Sequence, residues 1–362
     1  WLQPPPTTMS ATVKTRNFQL GSLFGFTLCW ALSQLWNVSI RHCHEVHDTR
    51  IPKREKLHTS IESEWKCVPD LKAKLVLYNR LPKSGSTTFI NVTKYLRRTR
   101  NLTIVGTNDP DYFYHPFGLR PVHDYIFYLE GSAHLWRDRY AFAHRHTHFI
   151  DLNSKFLAPS LPRPIRYIQI VRDPLLLLIS FFYYDVYHRG RSSYLALNRA
   201  SRAIRGVWVN YTSFRAGNVP FIEFHECVEA FDRTRSPALP VWCSVPLLLV
   251  PWFCGHDKVC EDGHSTEAQA RALRHYHRYH LVGLTSHIDA TVAMLERTLP
   301  NHFAGASAAL DAQGGQHANQ HRLPGYAEYA AGAHHDPRLA EVRRRLAPDT
   351  ALYSRIRRDF HR

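Results

Sequence analysis

No charged residue stands between Arg16 and Arg41, and Phe18 to Trp36 is mostly apolar. A run of that length crosses a hydrocarbon layer of roughly 30 Å. Gln19, Ser22, Ser33 and Gln34 make it only moderately hydrophobic. No A-x-A-like cleavage site stands out, which argues against a removed leader, and Lys14 and Arg16 precede the run. The positive-inside rule then predicts a cytoplasmic tail over 1–17, a single-pass type II signal anchor over 18–36, a polar stem over 37–70 and a lumenal domain over 71–362. A buried core helix is the other reading of the apolar run.

Acidic residues are scarce. The 30 carboxylates face 46 Lys and Arg, giving a formal net charge of +16, with 24 histidines in reserve. Such a balance favours a polyanionic partner, which composition leaves open as nucleic acid, anionic lipid or acidic polysaccharide. Cysteines at the C-x₂₋₄-C spacing of a zinc site are absent. Cys29 falls in the apolar run, and the six others allow fifteen pairings. Short loops close most easily, so the expected disulfides are Cys43–Cys67, Cys227–Cys243 and Cys254–Cys260. Sequons occur at Asn37, Asn91, Asn101 and Asn210. Asn91 falls on a helix expected to pack on a sheet, which disfavours a glycan there, and Asn101 and Asn210 are the expected glycosylation sites. Anchor, sequons and cysteine pairs together speak against nucleic acid.

A Walker A loop is also missing, yet the stretch that organises the chain is an anion site. Leu75–Tyr78 is a short apolar run of strand composition; Pro82-Lys83-Ser84-Gly85-Ser86-Thr87-Thr88 is a hydroxyl-rich turn; Phe89, Val92 and Leu96 recur at helical spacing. Strand, tight turn and helix aim backbone N–H groups at an anion, and Lys83 adds charge at the mouth. Residues 97–140 are irregular and give no order of elements. Tyr140 to Asp151 then alternates, which predicts an extended segment with His144, His146 and His148 on one face. Such a trio suits zinc, a solvated strand edge, or a general base beside a hydroxyl nucleophile. Arg163–Val171 reads as a strand ending in Arg172-Asp173-Pro174, and Leu175–Tyr187 as a buried helix carrying Ser180. In a parallel sheet Lys83 and Arg172 open on the same edge.

Pro82–Thr87 and Val171-Arg-Asp-Pro-x₅-Ser180 resemble the two elements with which sulfotransferases bind 3′-phosphoadenosine 5′-phosphosulfate (PAPS). Tyr78–Lys83, His144-x-His146, Phe253-Cys254-Gly255-His256-x₃-Cys260, His280–Thr285 and Leu299-Pro-x₂-Phe303-x-Gly305-Ala306 narrow the resemblance to heparan sulfate 2-O-sulfotransferases and their uronyl 2-O-sulfotransferase relatives. It runs from about residue 74 to 306. The resemblance implies an α/β fold, a single sulfotransferase domain over 71–362 with a central parallel sheet flanked by helices and a PAPS-binding strand-loop-helix. Lys83 and Ser84, Gly85, Ser86, Thr87 and Thr88 would cradle the 5′-phosphosulfate, and Arg172 with Ser180 the 3′-phosphate. His146 would be the base for a uronic acid 2-hydroxyl, with His144 assisting and Lys83 neutralising the leaving oxygen. No metal is expected. Arg80, Asn91, Arg189 and Arg191 would contact the heparan chain, with Arg199, Arg202 and Arg205 extending the footprint. A Golgi location and a homotrimer are also implied. The segment 304–335 departs from the family's more basic stretch, keeping His317, His321 and Arg322. That leaves two rivals: a dermatan or chondroitin uronyl 2-O-sulfotransferase, and a catalytically weak polysaccharide binder on the same scaffold. From Asp336 to Arg362 the sequence predicts a helical element with a basic face.

Overall fold

The described residues fall in one compact unit, Lys66–Arg362. The structure is a computed structural model, and it describes residues 69–362 except 101, 107–118, 136–138, 154–157, 188–190, 217–220 and 314–325. The expected anchor, the Cys43–Cys67 pair, and Asn37, Asn101, Arg189, His317, His321 and Arg322 lie outside the described residues. No helix among the described residues is long and apolar enough to cross a membrane.

Five parallel strands form one sheet in the order β2-β3-β1-β4-β5: β1 Leu75–Asn79, β2 Thr103–Gly106, β3 Ala141–Arg145, β4 Ile165–Val171 and β5 Tyr279–Leu284. β1 is buried along its whole length, as its unbroken apolar run requires of a central parallel strand. The chain leaves β1 for β2, returns to β3, then crosses to β4 on the other side of β1. The ends of β1 and β4 therefore flank a point where the winding reverses, the place where such sheets hold ligands.

The helices that matter here are α1 Ser86–Arg100, α2 Leu119–Gly131, α3 Pro174–Tyr187, α4 Arg191–Arg205, α5 Phe224–Thr234, α6 Leu249–Cys254, α7 Thr266–Tyr276, α8 Ile288–Thr298, α9 Tyr326–Gly332, α10 Ala340–Arg345 and α11 Ala347–Phe360. One core cluster joins the sheet to α1 and α8 through Val76, Tyr78, Phe142, Ile168, Phe89, Val92, Leu96 and Val292. The other joins α3, α4, α5, α9 and α10. α3 is apolar over most of its surface because most of it is buried, with Pro174 at its first turn and the Asp173 carboxylate accepting from the Leu176 N–H at 3.1 Å.

Both expected disulfides among the described residues are present, Cys227–Cys243 tying α5 to the turn at Val241–Ser244 and Cys254–Cys260 tying α6 to the turn after it. Asp349 in α11 is fully buried and accepts from the N–H groups of Leu248, Leu249 and Val250 at 2.6, 2.9 and 2.7 Å, so it caps α6 from another helix.

Several expectations need correction. The helix after the Lys83 loop starts at Ser86, not Phe89, so Ser86–Thr88 form its first turn. β3 stops at Arg145, and His146 and His148 follow it in irregular chain; the three histidines share no extended face. Asp70, assigned to the stem, is part of the fold: its side chain pairs with Arg166 and its N–H donates to Thr298 O at 2.8 Å. The basic C-terminal element breaks at Leu346 into α10 and α11, and α10's cations are engaged, Arg344 and Arg345 with Glu341 and Arg345 also with Asp232.

Candidate functional site

The end of β1 is fixed by the Asn79 carbonyl, which accepts from the Gln169 amide and, at 3.1 Å, from the Trp252 indole N–H. The chain then turns sharply, with Lys83 at φ 63° and Gly85 at φ 74°, both left-handed. For a lysine this conformation costs of order 1–3 kcal/mol, held by the surroundings. A side chain at Gly85 would in addition bring a Cβ to 3.3 Å from Thr285 Cγ2. Left-handed residues so close together turn backbone N–H groups inward as an anion nest, and the nest opens on the N-terminus of α1. Ser84 is fully buried, and its Oγ has no hydrogen-bond partner among the described residues.

Lys83 Nζ lies 4.0 Å over the Tyr184 ring. Burial first, and Arg172 second, bring its ammonium down to about 8. Arg172 reaches Lys83 O at 3.4 Å and the Tyr326 hydroxyl at 3.5 Å, long bonds that position the guanidinium without saturating it. Ser180 is buried on α3 behind it. Asp173, next to Arg172, pairs with His334 at 3.2 Å.

Three residues before Lys83, Arg80 stands between two histidines. His146 Nδ1 donates to Arg80 O at 2.8 Å, which puts the lone pair on Nε2. Arg80 Nη1 is 3.5 Å from His144 Nδ1. Burial, then Arg80, lowers His146 to about 4; the same two causes in the same order lower His144 to about 3. Both are therefore neutral near pH 7. His144 packs under β2 at Gly106, where a Cβ would fall 2.3 Å from its Nε2. His148 belongs elsewhere: its Nδ1 bonds Gly255 O at 3.1 Å, and its ring packs on Trp252 and His256. Among the described residues no group of three or more His, Cys, Asp or Glu is placed to hold a metal.

Other expected residues are scattered. Asn91 is half-buried on α1, and Arg191 opens α4. Arg205 is engaged by Glu226 at 2.9 Å, and Arg202 stacks on Trp208 at 4.9 Å. Asn210 is exposed, its Oδ1 accepting from the Thr212 N–H at 2.7 Å. Sequence reasoning did not assign Tyr184, Thr285 or Tyr326 to the site. Thr285 closed a stretch already quoted for its resemblance; the other two carried no signal of their own.

Fold and site together define an α/β protein with an anion cradle and a neutral histidine pair on one edge of a parallel sheet. No family model matches the chain. Curated proteins do: it is 28% identical over 301 residues to a heparan sulfate 2-O-sulfotransferase of Caenorhabditis elegans, covering 79% of this chain and 73% of that one. It is 31% identical over 232 residues to a heparin sulfate O-sulfotransferase of Drosophila melanogaster, and 26% over 238 residues to a human heparan sulfate 2-O-sulfotransferase. These two matches cover 64% of this chain and 57% of each relative, so the chain spans somewhat over half their length. The chain is similar to heparan sulfate 2-O-sulfotransferases over 64–79% of its length.

Proposed function

We propose that the protein transfers a sulfuryl group from PAPS to the 2-hydroxyl of a hexuronic acid, iduronic acid, in heparan sulfate. The observation that carries this reading is the juxtaposition on one sheet edge of the Lys83 loop and Arg172 with the His146–Arg80–His144 group. The loop suits a phosphosulfate because it offers a buried Ser84 hydroxyl with no partner among the described residues and a backbone nest that needs Gly85. PAPS supplies a sulfuryl group already joined to a phosphate leaving group.

The residues divide the work. Lys83 and the Ser84–Thr88 amides and hydroxyls hold the 5′-phosphosulfate, while Arg172 and Ser180 hold the 3′-phosphate. His146 enters neutral, its tautomer set by the Arg80 carbonyl, so that Nε2 takes the proton of the attacking hydroxyl. Lys83 stabilises charge developing on the leaving oxygen, and His144 orients the acceptor together with Arg80, Asn91, Arg189 and Arg191. The catalytic domain, 71–362, would work in the Golgi lumen behind the 1–17 tail, 18–36 anchor and 37–70 stem, glycosylated at Asn101 and Asn210 and assembled as a homotrimer.

Incubation with labelled PAPS and a panel of desulfated heparan, dermatan and chondroitin, followed by disaccharide analysis, tests the reading. Label is expected in iduronate 2-O-sulfate from heparan; label only from dermatan or chondroitin would move the acceptor. Arg172→Ala should raise KM for PAPS by about 10- to 150-fold, the worth of about 1.5–3 kcal/mol in charge-assisted bonds. Lys83→Ala should act mainly on kcat. Wild-type turnover in both variants would remove the PAPS assignment.

A further inference from the structure

Ser354, Arg357 and Arg358 on α11, with His361 and Arg362 just past its end, follow the i, i+3, i+4, i+7, i+8 spacing of one helical face. They line an open groove of about 440 Å³. Ser354 also lines a second hollow of about 380 Å³ whose wall includes Asp173, His334 and Arg343. The two hollows share Ser354, and the second has Asp173, the residue beside Arg172, in its wall. Tyr353 confirms the proximity, its hydroxyl bonded to Ser286 and within electrostatic reach of Asp173 and Arg172.

Charge of one sign collects in this groove. The nearby carboxylate, Asp359, is buried and already accepts from Tyr276 Oη at 3.1 Å and Arg355 Nε at 2.8 Å, with Arg362 at 4.0 Å. Arg357 and Arg358 are exposed and make no ion pair among the described residues. α10 differs, since its Arg344 and Arg345 are spent on Glu341 and Asp232. His287, just beyond β5, packs against His361 at 5.0 Å and Phe360 at 5.9 Å, which ties the end of α11 to the sheet.

We propose that this groove is a second polyanion site, an exosite that takes the sulfate and carboxylate groups of the acceptor polysaccharide away from the reacting sugar. The proposal rests on the heparan reading of the active site for the identity of its occupant. Arginine forks match sulfate and carboxylate oxygens two at a time, and cations spaced along one helical face suit a linear polyanion. An anionic membrane is the poorer fit. Insertion needs apolar side chains flanking the cations, and none of the exposed large hydrophobic residues lies on α11.

The test is the double variant Arg357→Ser/Arg358→Ser in the full chain, with Arg357→Lys/Arg358→Lys as the charge-keeping control. Three quantities are read: binding of polymeric heparan across a salt series, the ratio of KM for polymer to KM for a tetrasaccharide acceptor, and cosedimentation with phosphatidylserine vesicles. The serine variant should bind polymer at least 10-fold more weakly, with a log–log salt slope lower by about two, one for each cation removed from a linear polyanion. The KM ratio should rise several-fold, and the lysine variant should recover most of the binding. Unchanged polymer affinity and slope in the serine variant overturns the exosite. So does a loss confined to vesicle binding, which assigns the groove to membrane. If the wild type binds polymer with the arginine-dependent slope but transfers no sulfate, the exosite stands and the proposed reaction falls.

Discussion

The chain leaving β3 passes two histidine sites of opposite character. On one side His144 and His146 meet Arg80, whose carbonyl fixes a tautomer, and burial first and the guanidinium second keep both rings neutral. On the other, His148 bonds Gly255 O and packs on Trp252 and His256 next to the Cys254–Cys260 disulfide. Spacing along the chain does not distinguish the three rings. What each carbonyl partner leaves exposed does: His146 stands at the anion edge, and His148 is walled in at 4% exposure.

The sharpest way to break this contrast is to remove each ring in turn. His146→Ala should lower kcat by about 10²–10⁴-fold while heparan and PAPS still bind. His148→Ala should leave the rate within a few-fold but lower unfolding free energy by about 1–3 kcal/mol, because the Gly255 carbonyl loses its donor. Steady-state kinetics and urea titration of the two variants read both effects, and a reversed pattern would exchange the roles assigned to them. A smaller perturbation reaches His144 from outside. Gly106→Ala puts a methyl at 2.3 Å from its Nε2, so the ring must move. Activity should drop about tenfold with a stability loss of about 1–3 kcal/mol, and wild-type kinetics would show that His144 has no part in positioning.

The least drastic handle is pH. Burial, with neighbouring positive charge second, holds His144, His146 and His148 at about 3, 4 and 3, against about 6.5 in the unfolded chain. Between those limits the unfolded chain binds more protons, so the stability these groups contribute is complete above pH 6.5 and is lost as pH falls toward 4. His148→Gln should flatten that dependence by up to about 1.4 kcal/mol per pH unit, measured as urea midpoints from pH 7.5 to 4.5. An unchanged slope would mean that His148 takes up its proton in the native state. With His146 as base and Lys83 acting as a cation, kcat/KM should show a rising limb near 4 and a falling limb near 8, each absent from the corresponding alanine variant.

Much of the anion site is written locally. The apolar run of β1, the hydroxyl-rich turn and the spacing of Phe89, Val92 and Leu96 are adjacent in sequence, and so are β4, Arg172 and α3. The helix start escaped because Ser86–Thr88 carry no apolar period, although hydroxyls suit a first turn. β2 escaped because it is a four-residue edge strand, too short for any period to register. Partners far apart along the chain leave no trace at either end. Gly255 lies 107 residues from His148, and Tyr326 lies 154 from Arg172. Strand order belongs to the same class, since it depends on which crossovers the finished sheet tolerates.

The Asp349 carboxylate has a consequence for how the protein comes apart. It satisfies three amides of another helix from a site with no access to water, so α11 cannot lift away without stranding all three at once. Those amides are then sealed against solvent exchange by an element about a hundred positions away, and they open only when it does. α11, which carries the arginine groove, and α6, which leads into the Cys254–Cys260 bond, therefore form one cooperative unit rather than two.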